Sequence, residues 1–110
     1  MKNIVLIGMP GSGRTTIGKI LAAKLGRVFC DADHLLEDWE GKTIKELFAV
    51  SEENFREAET RTISKLAAAR DLVIATGGGV VKRSENMERL KANGIIIFID
   101  RSPELICDDV

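Results

Sequence analysis

The sequence predicts a three-layer α/β fold: a parallel sheet with helices on both faces. Three observations predict it. Short apolar runs rich in β-branched residues alternate with segments of helical periodicity. Each run is continuously apolar instead of alternating, as in a strand buried on both faces. The first and third runs end directly in glycines, Gly8 and Gly77. With 110 residues, 45% of them hydrophobic, the chain buries one modest core, so a single domain is expected.

Residues 3–7 form the first expected strand. From Thr15 to Leu25, Ile17, Ile20, Leu21 and Leu25 recur at helical spacing, and Gly26 closes the helix as a C-terminal cap. "RVFC", residues 27–30, reads as the second strand, with Asp31 at its carboxyl end and a helix through Leu35, Leu36 and Trp39 behind it. Thr43 with Glu46 three residues on is a capping box, and Ser51 opens a long helix reaching about Ala69. "DLVIAT", residues 71–76, is the third strand and runs into Gly77, Gly78 and Gly79. Ser84 is expected to cap a helix that Gly94 ends; "IIIFID", residues 95–100, is the fourth strand, and Ser102 with Pro103 begins one more helix. Ligands of such sheets sit at the carboxyl ends of the strands.

Bulk charge narrows the partner. Sixteen basic residues nearly balance seventeen acidic ones, for a net charge of -1, and neither sign forms a long block. That excludes an electrostatic nucleic-acid or acidic-membrane footprint and favours a small molecule. Cys30 and Cys107 make neither a disulfide framework nor a zinc pattern and fit a reducing compartment. The opening "MKNIVLIG" is too short to span a membrane and runs into glycines instead of a cleavage site, so a cytoplasmic protein is expected.

The chemistry starts at "GMPGSGRTT". Gly8-x-x-x-x-Gly13-Arg14-Thr15 matches the phosphate-loop pattern at every fixed position except the lysine, which is Arg14. Glycines let successive N–H groups and the helix N-terminus face phosphates, and the following hydroxyl ligates magnesium. Arg14 keeps the charge, but its planar fork is bulkier than an ammonium, which predicts weakened or misaligned nucleotide binding. Asp31 and Asp33 lie two apart after the second strand; they suit magnesium and an acceptor hydroxyl, and equally an acidic helix N-terminus. Arg56 and Glu59 are one turn apart on a helix: either a solvated ion pair, or an arginine held to bind an acceptor carboxylate. Three adjacent glycines suggest a place where a ligand approaches the main chain. His34, Trp39, Lys82 and Arg83 read as surface or packing residues.

Together, "GMPGSGRTTIG", "DAD", "FREAE" and "TGGG", in this order and at these separations, resemble the shikimate kinase family over essentially the whole chain. The resemblance implies transfer of the γ-phosphoryl group of ATP, with Mg2+, to the 3-hydroxyl of shikimate, a step toward aromatic amino acids. It also implies five parallel strands in the order 2-3-1-4-5. Gly11, Ser12, Gly13, Arg14, Thr15 and Thr16 would bind the nucleotide, with Arg14 in the catalytic position of the missing lysine. Thr15 would ligate magnesium and Asp31 would hold it through water. Asp33 would bind shikimate and orient or deprotonate its hydroxyl, Arg56 would pair with the carboxylate, and the Gly78 and Gly79 backbone would contact the acceptor.

Two departures accompany Arg14. The segment "SPELICDDV" has Cys107, Asp108 and Asp109 near where the family presents an arginine over adenine, and the family's lid and fifth strand would follow Val110. Residues 1–110 are thus expected to be one phosphate-loop kinase domain shortened at its C-terminal end. Its fourth strand, Ile95 to Ile99, would be an apolar edge prone to self-association. The competing readings are another small-molecule kinase of this branch, such as a gluconate kinase, and a non-catalytic module that binds the acceptor alone.

Overall fold

The computed structural model describes residues 2–8 and 14–99, with the backbone alone at Arg14 and Gly78. In chain order the elements are β1 (Asn3–Gly8), α1 (Arg14–Leu25), β2 (Val28–Asp31), α2 (Ala32–Glu40), α3 (Ile44–Val50), α4 (Glu52–Ala68) and β3 (Leu72–Gly77). A 3-10 segment (Gly78–Lys82), α5 (Ser84–Ala92) and β4 (Gly94–Ile99) complete them. The strands form one parallel sheet in the order β2-β3-β1-β4. Register pairs Gly8 with Gly77 and Asp31 with Ala75, so the first glycine turn, the triple glycine and the aspartates emerge along one rim of the sheet.

The apolar runs are continuous because each central strand feeds two cores. Val5, Ile7 and Ile74 face Ile63 and Leu66 of α4 and Leu90 of α5. Leu6 and Val73 point the other way, against Ala22 of α1 and, at the margin, Ile17 and Phe29. A third cluster, Leu36, Leu47, Phe55 and Ala58, joins α2, α3 and α4 beside the sheet. This last cluster carries one wall of the site described below.

Several local expectations meet corrections. The stripe of α1 is rotated: Ile20 and Leu25 stay 46% and 47% exposed, while Ala22 is buried. A Cβ on Gly18 would lie 2.4 Å from the Phe29 ring, so α1 approaches β2 more closely than any side chain at that position permits. Ser84 is the first residue of α5, not its cap; Arg83 precedes the helix and supplies no side-chain cap. Asn93, not Gly94, ends α5, and Gly94 opens β4, where a Cβ would lie 2.6 Å from the Leu90 carbonyl oxygen. Close approach of backbone, not helix termination, requires that glycine.

The Thr43–Glu46 capping box forms as expected, with Thr43 Oγ1 accepting from Glu46 N at 3.1 Å and Glu46 Oε1 accepting from Thr43 N at 3.0 Å. Ser51 caps α4 through Asn54 N. Burial on both faces holds for β1 and β3 but not for the two outer strands of the described sheet: Val28 of β2 is 64% exposed, and Ile95, Ile97 and Phe98 of β4 are 54%, 40% and 65% exposed. The helix expected from Ser102, with Cys107, lies outside the described residues. Among the described residues no helix is long and apolar enough to cross a membrane.

Candidate phosphoryl-transfer site

The donor side starts where β1 hands over to α1. Gly11, Ser12 and Gly13 lie outside the described residues; Arg14 is the first residue of α1, and Thr15 and Thr16 occupy its first turn. Asp31 ends β2 and caps α2: its Oδ1 accepts from the backbone N–H of Asp33 at 3.0 Å and of His34 at 3.3 Å. The other carboxylate oxygen, Oδ2, receives the Thr15 hydroxyl at 3.5 Å. The two readings of Asp31, helix cap and metal partner, are therefore compatible, one oxygen serving each. A recess of about 390 Å³ opens here, with Thr15, Lys19, Asp31 and His34 among its walls. Cys30 also borders it, its thiol pushed up by burial.

Among the described residues no group of three or more His, Cys, Asp or Glu side chains could hold a metal ion. A hydroxyl beside one carboxylate oxygen suits Mg2+, which takes hard oxygen ligands, keeps several waters and leans on substrate phosphates. It does not suit a metal that needs a protein cage.

The candidate acceptor side is assembled from α2, α4 and the 3-10 segment. Asp33 lies in the first turn of α2, with its Oδ2 3.9 Å from where a Cβ on Gly77 would be. Arg56 donates from Nη1 to Glu59 Oε1 at 3.1 Å, and the two side chains are only 13% and 8% exposed. This is not the solvated pair that the spacing alone also allowed. The guanidinium lies directly on the triple glycine: a Cβ on Gly79 would come within 2.5 Å of Nη1 and 3.0 Å of Nη2. Gly79 is thus a glycine because Arg56 occupies the volume a side chain would need. Gly78 stands beside it at the start of the 3-10 segment.

Two phenylalanines complete the wall: Phe55, the first residue of "FREAE", and Phe48, which no motif includes. Phe48 and Phe55 stack with centroids 4.3 Å apart, and the Arg56 guanidinium sits 5.8 Å and 5.0 Å from their rings. The helix break at Ser51 lies between them, so their spacing in the chain gave no signal of the stack. Cation–π contact and burial fix the arginine, while its Nε makes no hydrogen bond and has only Glu52 Oε2 at 3.7 Å. Burial pushes the Glu59 carboxyl up; the Arg56 hydrogen bond and charge pull it back, and the negative charge of Asp33 adds to the upward push. Asp33, Arg56 and Glu59 therefore share one electrostatic environment.

His34 is exposed and pairs with Asp38 on its own helix at 3.4 Å, and Trp39 is half-exposed beneath Lys65, both as expected. Lys82 and Arg83 are less bland, reaching Glu52 and Glu53 on α4.

A glycine loop between the first strand and helix of a parallel sheet in this order, with an acidic and basic recess at the strand ends, defines a phosphate-loop α/β protein of the small-molecule kinase type. A solved gluconokinase from Sinorhizobium meliloti 1021 shares that fold, at 19% identity and a TM-score of 0.61 over 97% of this chain and 62% of its own. The particular family follows from closer likenesses. The shikimate kinase family model matches residues 10–110. A shikimate kinase from Clostridium botulinum (strain Eklund 17B / Type B) is 50% identical over 111 residues, covering 100% of this chain and 67% of that protein. The shikimate kinase from Acinetobacter baumannii, solved in complex with shikimate, is 40% identical with a TM-score of 0.88, covering 98% of this chain and 61% of that one. The chain belongs to the shikimate kinase family and spans roughly two thirds of the length of these relatives.

Proposed function

We propose that this chain carries the phosphate loop and acceptor pocket of an enzyme that phosphorylates the 3-hydroxyl of shikimate with ATP. The observation that carries the reading is the buried Arg56 guanidinium, braced by Glu59 and laid on Gly79. An arginine fork fixed in this way recognises a planar carboxylate by two-point contact, which a flexible lysine does not. The acceptor must therefore carry a carboxylate on one side and a hydroxyl within reach of Asp33 on the other, as shikimate does.

In this reading the hydroxyl proton passes to the Asp33 carboxylate as the oxygen bonds to the γ-phosphorus, and the bond from that phosphorus to the β–γ bridging oxygen breaks, releasing ADP. The backbone N–H groups of Gly11, Ser12 and Gly13, with Arg14, Thr15 and Thr16, bind the phosphates. Thr15 would ligate Mg2+ and Asp31 would hold it through water; the ion would supply neutralisation of charge on the transferring group. The Gly78 and Gly79 backbone contacts the acceptor. Residues 1–110 form one domain of this enzyme, acting in the cytoplasm on a small molecule, with neither nucleic acid nor membrane as partner.

Acceptor-dependent ADP release by the full-length protein tests the reading. Release with shikimate and none with gluconate is the expected result; release with gluconate alone overturns it in favour of the related kinase, and shikimate binding without ADP would leave an acceptor-binding module.

A further inference from the structure

The 3-10 segment that presents Gly79 to Arg56 is anchored by a residue that no motif includes. Arg83 follows that segment immediately and is only 23% exposed. Its Nη1 donates to Thr60 Oγ1 at 3.3 Å and its Nη2 to Glu53 Oε1, both on α4. Residues 53, 56 and 60 are spaced i, i+3 and i+7, so they lie along one stripe of that helix. Arg83 therefore spans the stripe with one contact on each side of Arg56. The two guanidiniums border the same recess of about 260 Å³, together with Glu52, Glu53 and Lys82. Lys82 adds a second tie, to Glu52 at 3.3 Å, with both side chains more than half exposed, as Glu53 also is; Arg83 is the less exposed end of the clasp.

We propose, resting on the acceptor reading above, that Arg83 is a positioning residue for shikimate: it clasps the 3-10 segment to α4 and so fixes the spacing between the Gly79 backbone and the Arg56 guanidinium. Distance geometry explains why the spacing needs a clasp. Gly79 and Arg56 are already closer than any Cβ would permit, so a drift outward of the 3-10 segment opens the pocket without meeting resistance from side chains at that point. A surface ion pair contributes little to stability, but a guanidinium with two partners on one rigid helix restricts direction as well as distance. The positive charge of Arg83 also reaches Glu59 and favours its ionised form, the form that holds Arg56.

The experiment uses the full-length enzyme with Arg83→Ala, Arg83→Lys and the double variant Glu53→Ala/Thr60→Val, which removes both partners on α4 and leaves Arg83 only Glu85, at 3.8 Å. Two quantities are read: the KM values for shikimate and ATP, and the NMR resonance of the Arg56 Nε–H group. Arg83→Ala and the double variant are expected to raise the shikimate KM roughly three- to tenfold, the equivalent of one lost hydrogen-bonded tie, with the ATP KM unchanged. Arg83→Lys recovers part of the loss, since an ammonium reaches one partner and not both. A shikimate KM equal to wild type in both variants overturns the proposal, as does a parallel rise in both KM values. Should Arg83→Ala fail to fold, the double variant decides alone. Should the wild-type enzyme release no ADP with shikimate, the acceptor reading fails, and the clasp is judged by the Arg56 resonance: displaced in the variants, it stands; unmoved, it falls.

Discussion

Gly79→Ala adds a single methyl group to the acceptor wall and tests whether Arg56 is held where the geometry puts it. The new Cβ would lie 2.5 Å from Nη1, 3.0 Å from Nη2 and 3.1 Å from Cζ, against an ordinary contact of 3.4 Å or more. The guanidinium must retreat by about 1 Å. An exposed arginine would do so freely, but this one is 87% covered, with Glu59 Oε1 at 3.1 Å and the Phe55 ring at 5.0 Å. A retreat of that size cannot leave both the 3.1 Å hydrogen bond to Glu59 and the packing on the Phe55 ring as they are, and the outcome to be tested is loss of the Glu59 bond. Charge-assisted bonds of this kind contribute about 1.5–3 kcal/mol, so acceptor affinity should fall by about ten- to a hundredfold. Backbone strain does not enter, because Gly79 is not among the positive-φ glycines. Titration calorimetry of the full-length protein with shikimate gives the affinity, and Arg56→Ala gives the floor. Unchanged affinity in Gly79→Ala would show that Arg56 swings aside without cost and would refute the account of the pocket.

Three further outcomes are expected. Arg14→Lys should tighten ATP binding and raise turnover, since an ammonium fits a tight loop as a point charge; equal affinity and rate in the two proteins would remove the significance attached to Arg14. The Glu59 carboxyl, raised above its ordinary 4.5, contributes stability that is complete below that value and is lost as pH rises through its folded value. As pH rises across that window, the urea midpoint of the wild type should fall relative to that of Glu59→Gln, and identical slopes in the two proteins would contradict the assignment. Residues 1–110 expressed by themselves should self-associate through β4, one of the two outer strands of the described sheet, where Ile95, Ile97 and Phe98 are exposed. Light scattering that finds only monomer at high concentration would count against it.

Much of this molecule was legible before its structure. The Thr43–Glu46 box and the Ser51 cap act within three residues, so the spacing of their side chains carries all the information needed to form them. The same holds for Asp31 at the start of α2, and the order of motifs along the chain pointed to both halves of the site. The boundaries of α5 were read less well: a serine and a glycine of the expected types stood one position from where the helix begins and ends, because Gly94 answers to the packing of β4 against Leu90.

By itself, then, the sequence determined the alternation of strands and helices, the caps of α2, α3 and α4, and the family to which the motifs belong. Only the tertiary structure decided what the residues of those motifs do to one another. Arg56 and Glu59 have the same three-residue spacing whether solvated or buried; the phenylalanines of α3 and α4 and the absent side chain of Gly79 made them buried. Arg83 read as a surface residue until the fold brought it to Thr60, 23 positions away in the chain. Caps depend on atoms a few bonds apart, whereas burial and charge pairing depend on which distant surfaces the fold presses together.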